Sequence, residues 1–310
     1  MASRAVVGID GGGTATRVLI LDERGGALGR AEGGPALTDR PGAPIDIETV
    51  ADTVARAAAA AGIELPAAAL CAGFAGVGRE LERGAVEAAL AGRLAARARV
   101  ITDAEAAFFD AFADGPGLLL IAGTGSIALG RGEDGREART GGWGTLLGDE
   151  GSGYDIGLSA LRAAARATDG RGGPTDLLAR LLAELGLARP EELIRWASGA
   201  RKTAVAALAP SVCELAAQGD EVAAEIVAAV VASLAAHVDA LLARLGPWSA
   251  PPGLALAGGL LAPGGRLRGA VVAAVAEYAC VVSDTQVEPV RGAARLALRD
   301  LVAGHSDDDA

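Results

Sequence analysis

The sequence contains almost no lysine and very few aromatic residues. Lys202 is the only lysine among 28 basic residues, and Phe, Trp and Tyr together make up 3% of the 310 residues. The core must therefore be built mainly from Ala, Val and Leu. A formal net charge of −11 also argues against nucleic acid or an anionic membrane as a partner, because both would repel the chain. A small molecule is the better-supported kind of ligand.

Cysteine motifs for metal binding are missing as well. Cys71, Cys213 and Cys280 lie far apart in apolar or helical stretches, and the sequence contains no C-x-x-C pair. This pattern is typical of buried thiols rather than of a zinc or redox site.

Uninterrupted apolar runs of membrane-spanning length are also absent. The most apolar tract, residues 222–245, is interrupted by charged residues such as Glu225, Asp239 and Arg244. The N-terminus shows no charged region followed by an apolar run and a cleavage site. We therefore expect a soluble, cytoplasmic protein that does not bind membranes.

Apolar strand-like runs and Ala-rich helical segments alternate along the chain. Residues 1–113 are predicted to form one domain with the order βββαβα, then a further strand and a short helix. Its second helix is expected over residues 79–96. The strand pattern then begins again, which predicts a second domain over residues 114–288 with a helical insertion.

Several later segments have helical periodicity. Residues 204–218 and 265–280 are each predicted to form one helix. A last helix, residues 289–301, is expected to pack back on the first domain. Residues 304–310 are predicted to form a disordered acidic tail.

A glycine-rich turn follows the first predicted strand. That strand ends at Asp10, and a hairpin with a glycine tip can bind phosphate because backbone amides can approach anionic oxygens. The turn is neither a P-loop nor a dinucleotide fingerprint, since it lacks G-x-x-x-x-G-K-[ST] and no helix follows the glycines. A plain glycine-rich hairpin is the alternative. The predicted phosphate ligands are Gly11, Gly12, Gly13, Thr14 and Thr16, with Asp10 as a ligand for Mg²⁺.

More polar groups at strand ends lie within residues 100–155. A strand leads into Asp103, and an apolar strand leads into a second glycine loop that begins at Gly123. Two further glycine-rich loops surround Trp143 and Asp149. Apolar runs that stop at acids, hydroxyls and glycines are typical of a sheet edge that binds a ligand.

Taken in order, these motifs resemble the sugar kinase, Hsp70 and actin superfamily. The resemblance rests on Asp10-Gly-Gly-Gly-Thr-x-Thr16, Gly123-Thr-Gly-Ser126 and Ala257-Gly258-Gly259. Within the superfamily, Arg139-Thr-Gly-Gly-Trp-Gly144 and Leu147-Gly-Asp-Glu-Gly-Ser152 resemble the N-acetylglucosamine kinase branch of the BadF/BadG/BcrA/BcrD ATPase family. This implies an α/β protein with two RNase-H-like domains of the actin-like ATPase fold and an interdomain cleft for ATP and sugar. A homodimer is also expected.

The resemblance assigns roles to particular residues. Asp103 matches the general base, a carboxylate that accepts the proton of a sugar hydroxyl as the γ-phosphoryl group transfers. An N-cap role for the helix from Ala104 is the alternative for Asp103, and a core position is the alternative for Trp143. The remaining implied contacts are Gly123, Thr124, Gly125 and Ser126 with the phosphates, Gly258 and Gly259 with adenosine, and Gly142, Trp143, Gly144, Asp149, Glu150 and Ser152 with the sugar.

The sequence departs from the family pattern at one place. Family members often carry an asparagine after a glycine-rich segment of the first domain, and the segment Gly33 to Asp39 has none. Thr38 and Asp39 are the candidates to replace it. Since Asp39 would suit a free amine, both N-acetylglucosamine and glucosamine remain open as substrates, with the 6-hydroxyl as the implied acceptor.

Two other functions are compatible with this fold. One is the activating ATPase of 2-hydroxyacyl-CoA dehydratases, which binds an iron–sulfur cluster; three scattered cysteines and the loops around Trp143 and Asp149 argue against it. The other is a non-catalytic sugar or nucleotide sensor, and the net charge of −11 is unfavourable for an operator-binding repressor.

Overall fold

The computed structural model describes residues 5–37, 45–76 and 80–308, with the backbone alone for residues 80–82 and 304–308. The chain divides into two compact units. Met1–Asp114 and Val287–Ala310 make up unit 1, and Gly115–Gln286 makes up unit 2. The predicted sugar contacts Thr38 and Asp39 lie outside the described residues.

Unit 1 contains a five-stranded sheet with the order β3-β2-β1-β4-β5. The first three strands are antiparallel neighbours, whereas β4 runs parallel to both β1 and β5. The strands are β1 (Val6–Gly11), β2 (Thr16–Leu21), β3 (Ala27–Gly33), β4 (Ala67–Phe74) and β5 (Ala95–Thr102), and the helices are α1 (Ile47–Ala61), α2 (Glu80–Leu90), α3 (Asp103–Phe112) and α11 (Pro289–Asp308).

Both faces of this sheet are covered by helices, as the alternation of buried residues in β1 requires. Val7 and Ile9 belong to the core under α1, and Val6 belongs to the core under α3 and α11. A β-carbon at Gly8 would lie 2.3 Å from the backbone nitrogen of Ala294, so glycine allows α11 to approach the sheet closely. The sheet is therefore a rigid base for the residues at its edge.

A buried ion pair joins α3 to α11. Asp110 of α3 accepts hydrogen bonds from Nε and Nη2 of Arg291 at 2.6 and 2.7 Å and from the backbone N–H of Glu288 at 2.8 Å. A β-carbon at Gly292 would lie 1.9 Å from the carbonyl oxygen of Ala106, so the two helices touch backbone to backbone. These contacts fix the orientation of α3, whose first residue is Asp103.

Unit 2 contains a second five-stranded sheet, with the order β10-β9-β6-β7-β8. β6, β7 and β8 are antiparallel neighbours, and β9 runs parallel to β6 and β10. The strands are β6 (Gly117–Ala122), β7 (Ser126–Arg131), β8 (Glu137–Gly141), β9 (Gly253–Ala257) and β10 (Val281–Val282), and the helices are α4 (Gly153–Thr168), α5 (Leu177–Leu185), α6 (Glu192–Gly199), α7 (Lys202–Ala206), α8 (Ala209–Ala217), α9 (Glu221–Leu245) and α10 (Arg268–Ala274).

The core of unit 2 lies between its sheet and helices α4 and α9. Leu118 and Leu120 of β6 pack with Val230, Leu234 and other buried aliphatic residues of α9. Within the part of the chain that the structure describes, α9 is also the one helix long and apolar enough to cross a membrane. Its buried residues recur at three- and four-residue spacing, which is typical of a core helix.

The structure differs from the predicted elements in several places. β8 and β10 were not predicted, since each is short and has little apolar alternation. The helix predicted over residues 204–218 is divided into α7 and α8, because Pro210 in the first turn of α8 lacks the N–H that a continuous helix would need. The helices predicted over residues 79–96 and 265–280 are shorter, and α11 continues to Asp308, into the predicted tail.

Candidate active site

Two carboxylates lie at the same edge of the sheet in unit 1. Asp10 in β1 pairs with Gly73 of β4, and Gly73 pairs with Ile101 of β5, so the carboxyl ends of β1 and β5 flank that of β4. A β-carbon at Gly73 would lie 3.4 Å from Cα of Asp103 and 3.1 Å from Cβ of Ala106. Glycine at position 73 therefore brings the start of α3 close to the sheet.

Burial raises the pKa of both carboxyl groups. The pKa of Asp10 rises to about 6, chiefly because the group is buried and secondly because Asp103 carries the same charge nearby, while Arg17 opposes the change. The pKa of Asp103 is also raised, mainly by burial, although the backbone N–H of Ala104 donates to it at 2.9 Å. A carboxylate whose pKa is raised is a stronger base, and two neighbouring carboxylates attract a cation.

The N-cap of α3 is Thr102 rather than Asp103. The hydroxyl of Thr102 accepts the backbone N–H of Glu105 at 3.1 Å, and the Glu105 carboxylate accepts the N–H of Thr102 at 2.6 Å. These two bonds form a capping box. Asp103 is the first helical residue, so the capping role weighed for it belongs to its neighbour.

The first glycine loop connects β1 to β2 in four residues. The backbone N–H of Gly12 donates to the carbonyl of Ala15 at 3.0 Å, and Gly13 and Thr14 are exposed at the tip. A β-carbon at Gly12 would meet nothing closer than the oxygen of Ala15 at 3.7 Å. The tip thus has free space on its outer side, as a ligand-binding loop requires.

Gly11 and Thr16 at the base of the loop have mainly packing roles. A β-carbon at Gly11 would lie 2.3 Å from the ring of Phe74, which is completely buried. The buried hydroxyl of Thr16 donates to the carbonyl of Gly34 at 2.8 Å. Of the predicted phosphate contacts in this loop, the residues at the tip are therefore the more accessible ones.

Arg17 adds a positive charge beside the acidic edge. Its Nη1 lies 3.7 Å from Oδ2 of Asp10, and its Nε lies 3.4 Å from Oε2 of Glu32. The Arg17 side chain is half exposed, so the pair contributes little stability by itself. Its main consequence is to limit the rise in the pKa of Asp10.

The second glycine loop, in unit 2, is held by several backbone bonds. The N–H of Gly123 donates to the carbonyl of Gly125 at 2.9 Å. In turn, the N–H groups of Gly153 and Tyr154 in α4 donate to the carbonyls of Gly123 and Thr124 at 2.8 and 3.3 Å. The loop is therefore built onto the start of α4, with the side chain of Thr124 exposed.

Gly258 and Gly259 lie next to this loop. Gly258 has φ +85°, and a β-carbon there would lie 2.3 Å from the carbonyl oxygen of Ala122 at the end of β6. A β-carbon at Gly123 would lie 3.8 Å from the nitrogen of Gly259. The structure thus brings together the residues predicted to contact phosphate and those predicted to contact adenosine within unit 2.

Trp143 is exposed in a loop whose backbone conformation favours glycine. Gly142 and Gly144 on either side have φ +68° and +82°, and 64% of the tryptophan is solvent accessible. The guanidinium of Arg139 lies 5.3 Å from the ring centroid, in cation–π contact. The core position considered for Trp143 is wrong, and its indole face is available to a ligand.

Ser126 and Ser152 are buried and hydrogen-bonded within the protein. The hydroxyl of Ser126 donates to the carbonyl of Glu150 at 2.6 Å. The Ser152 hydroxyl accepts the N–H of Asp155 at 3.2 Å and caps α4. Their contribution to a ligand site would be to shape its loops, whereas the side chain of Glu150 is exposed.

Asp149 occupies a constrained position under the second glycine loop. It has φ +65°, which is uncommon for a residue other than glycine. Its Oδ1 accepts the N–H of Ser126 at 3.3 Å, and its Oδ2 lies 2.6 Å from Nζ of Lys202. Its predicted contact with sugar hydroxyls stays a prediction, and both carboxylate oxygens already have protein contacts.

Sequence reasoning gave no role to Lys202 or Arg139, which contact the predicted site residues Asp149 and Trp143. Lys202 is far from Asp149 in the sequence, and only the tertiary fold brings the two together. The signal that could have found it is its status as the sole lysine. Arg139 was quoted within a motif but given no role of its own.

A Mg²⁺ ion would have to rely on few protein ligands. Within residues 5–37, 45–76 and 80–308, no group of three or more His, Cys, Asp and Glu residues could hold a metal ion. Asp10 and Asp103 form an acidic pair, and after burial the charge of Asp103 is the second cause of the raised pKa of Asp10. This arrangement fits Mg²⁺, which is commonly held by one or two carboxylates together with substrate phosphates.

Comparison with known proteins supports the family resemblance. The BadF/BadG/BcrA/BcrD ATPase family model matches residues 7–297. The N-acetylmuramic acid/N-acetylglucosamine kinase of Clostridium acetobutylicum is 33% identical, covering 83% of this chain and 85% of that protein. The N-acetyl-D-glucosamine kinase of Dictyostelium discoideum is 31% identical, covering 79% and 82%.

A solved structure gives the same result for the fold. It is that of a candidate N-acetylglucosamine kinase from Chromobacterium violaceum, which is 28% identical to this chain and has a TM-score of 0.81. The match covers 96% of this chain and 99% of that one. The predicted α/β fold with two actin-like ATPase sheets is confirmed. The chain belongs to the BadF/BadG/BcrA/BcrD ATPase family.

Proposed function

We propose that the chain is an ATP-dependent kinase that phosphorylates an amino sugar, N-acetylglucosamine or glucosamine, at the 6-hydroxyl. The single observation that carries the proposal is the position of Asp103, beside Asp10 at the acidic edge of unit 1, with a raised pKa and with Thr102 as the N-cap of α3. The family and its two kinase relatives support the same reaction.

Asp103 would act as the general base in this reaction. Its carboxylate accepts the proton of the sugar hydroxyl, the hydroxyl oxygen bonds to the γ-phosphorus, and the bond from that phosphorus to the β,γ-bridging oxygen breaks. The products are the sugar phosphate and ADP. The glycine loops at residues 11–14 and 123–126 bind the phosphates, and Gly258 and Gly259 lie beside adenosine.

Mg²⁺ would supply positive charge to the phosphates, with Asp10 as the proposed protein ligand. Ionised Asp10 is disfavoured in the folded protein, because its pKa is raised to about 6 by burial and by Asp103. A bound cation would reverse that penalty, so the residue is suited to metal binding. Arg17, 3.7 Å from the same carboxylate, opposes the rise in its pKa.

The sugar is proposed to lie against the indole of Trp143, with Gly142, Gly144, Glu150 and Ser152 in the surrounding loops. An exposed indole offers an apolar face to a sugar ring, and hydroxyls need polar partners around it. Arg139 above the same ring leaves a positive charge at this position. An acidic amino sugar such as N-acetylmuramic acid, which the Clostridium relative's name includes, therefore belongs in any substrate panel.

The activating ATPase function is the weaker alternative. Burial raises the pKa of Cys71 to about 12, and it also raises the pKa of Cys213 and Cys280. Thiols bind iron as thiolates, so raised pKa values disfavour an iron–sulfur cluster at these residues.

A coupled ADP-release assay with a panel of hexoses and amino sugars tests the proposal. We expect ADP release that depends on N-acetylglucosamine or glucosamine, and phosphorus-coupled NMR of the product should place the phosphate on oxygen 6. Release of ADP at the same rate with and without every sugar would refute it. The expected homodimer and cytoplasmic location are parts of the same proposal, and sedimentation velocity would test the first.

A further inference from the structure

Lys202 lies against the second glycine loop, although it belongs to a helix far along the chain. Its Nζ lies 2.6 Å from Oδ2 of Asp149. A β-carbon at Gly125 would lie only 2.9 Å from the same Nζ and 2.5 Å from Oδ1 of Asp149. The loop can therefore accept this ion pair only because position 125 has no side chain.

Glycines in α4 hold Lys202 in this place. A β-carbon at Gly157 would lie 2.0 Å from the carbonyl oxygen of Val205, and one at Gly153 would lie 3.3 Å from that of Ala206. The N–H of Gly153 also donates to the carbonyl of Gly123 in the loop. Helix α7, helix α4 and the loop are thus in direct backbone contact.

The pair of Lys202 and Asp149 is asymmetric in its burial. The Asp149 side chain is 5% exposed and that of Lys202 is 30% exposed. Although Lys202 is in ionic contact, Oδ2 of Asp149 has no aligned hydrogen-bond partner among the described residues. An ammonium group has three N–H donors, so Lys202 keeps donors for a ligand on its exposed side.

The presence of lysine rather than arginine at position 202 also indicates a specific role. Every other basic residue in the chain is arginine, so a surface charge alone would be expected to be arginine here too. An ammonium is a compact point charge that fits a narrow space, whereas a guanidinium is a wide planar fork. The short distance to Gly125 suits the ammonium.

We propose that Lys202 binds a phosphate group of ATP next to the loop Gly123 to Ser126, with Asp149 as its positioning residue. Backbone amides and a lysine ammonium together are a common way to bind phosphate. The proposal rests on the proposed function only in taking ATP as the ligand. The competing explanation is that Lys202 merely neutralises the buried Asp149.

Charge-neutral variants separate the two explanations. Lys202→Met alone leaves Asp149 buried without a counter-ion and is expected to lower Tm. The double variant Lys202→Met/Asp149→Asn removes both charges, and the introduced asparagine can still accept the N–H of Ser126. Arg201→Met, at an exposed neighbour, controls for the loss of one positive charge.

Calorimetric titrations with ATP and with adenosine, in the absence of sugar, provide the readout. The double variant is expected to recover the Tm of the wild type but to bind ATP about 10- to 100-fold more weakly, as loss of a charged hydrogen bond implies. Its affinity for adenosine should not change. Arg201→Met should bind ATP like the wild type.

Two results would overturn the proposal. Both begin with wild-type ATP affinity in the double variant. If its affinity for the amino sugar is also unchanged, Lys202 has a purely structural role. If its affinity for the amino sugar is weaker, the ion pair belongs to the sugar site. Should the double variant fail to fold, ATP is titrated into Lys202→Met below its Tm, and full ATP affinity in that variant would overturn the proposal.

The proposed function fails separately from this inference. If the wild-type protein binds ATP but phosphorylates no sugar, the kinase proposal is refuted. The titrations would still decide whether Lys202 contacts phosphate.

Discussion

The two glycine loops both connect antiparallel strands, but the charged side chains beside them differ. Each loop connects the two strands that come first in the sequence of its five-stranded sheet, and these two strands are antiparallel. Beside the loop of unit 1 stand two carboxylates, Asp10 and Asp103. Beside the loop of unit 2 lies an ion pair, in which the buried carboxylate of Asp149 contacts the partly exposed ammonium of Lys202.

This difference indicates that each hairpin provides backbone amides for a ligand. Residues from other parts of the same unit determine the charge beside the loop. In unit 1 the deciding residue comes from the strand-to-helix junction at Asp103. In unit 2 it comes from a short helix that begins at Lys202. The acidic edge of unit 1 is suited to accepting a proton and holding a cation, and the exposed side of the Lys202 ammonium in unit 2 is suited to binding phosphate.

The largest expected effect is on the reaction rate, at Asp103 on the acidic edge. Asp103→Asn keeps the shape of the side chain but cannot accept a proton, so kcat should fall by roughly 10²- to 10⁴-fold. The sugar Kd should change much less, because asparagine can still form hydrogen bonds. Near-normal turnover would refute the catalytic role.

The largest expected effect on binding comes from Gly12→Val in the loop of unit 1. A branched side chain would stand where backbone amides approach the phosphates, so ATP binding measured by calorimetry should fall below detection. Because a β-carbon at Gly12 meets nothing closer than 3.7 Å, the far-UV circular dichroism spectrum should stay unchanged. Equal ATP affinity in this variant would remove the phosphate role of the first loop.

The loop of unit 2 should respond to substitution in a different way. Gly125→Ala would place a methyl group 2.5 Å from Oδ1 of Asp149, and overpacking of this kind typically costs about 1–3 kcal/mol. We therefore expect a lower Tm for Gly125→Ala and an unchanged Tm for Gly12→Ala. Equal melting temperatures for the two alanine variants would show that the loops do not differ in packing.

Removing the N-cap of α3 should lower the stability of the protein without lowering its turnover. Thr102→Ala deletes the N-cap hydroxyl and should lower the free energy of unfolding by about 1 kcal/mol. Chemical denaturation measures this change. The turnover of the folded variant should stay near that of the wild type, and a loss as large as that of Asp103→Asn would mean that the cap and the base cannot be separated.

A smaller effect with a defined pH dependence is expected at Asp10. Its folded-state pKa of about 6 lies above the ordinary aspartate value of 3.8, so the ionised form is disfavoured in the folded protein. Stability from this group is present at low pH and is lost as the pH rises through 6. Without nucleotide and Mg²⁺, Asp10→Asn should therefore raise Tm above pH 6, and the gain should disappear near pH 4. A gain that grows on acidification would contradict the assigned pKa.

Much of this architecture could be predicted from the sequence because it depends on local signals. Asp46 and Gly62 are the N-cap and C-cap of α1, and these residue types are typical of those positions. The strand that ends at Asp10 and the helix that begins near Asp103 were predicted to within a few residues. Alternation of apolar and polar residues and the glycine turns contain this information directly.

The remaining features depend on contacts between distant segments. β8 exists because it pairs with β7, with Gly141 opposite Ile127, and its own sequence has little strand character. Helix α7 begins at Lys202, which lies before the helix predicted over residues 204–218. No local pattern could show that this lysine would reach Asp149.

The central claim is that Asp103 in unit 1 accepts a proton, whereas Lys202 in unit 2 binds ATP. Titrating ATP into Asp103→Asn and into Lys202→Met/Asp149→Asn under the same conditions tests this claim most directly. The account predicts that Asp103→Asn binds ATP as tightly as the wild type or more tightly, because a negative charge near the phosphates is removed. It predicts about 10- to 100-fold weaker binding for the charge-neutral double variant. Equal weakening in both variants, or weakening in Asp103→Asn alone, would contradict it.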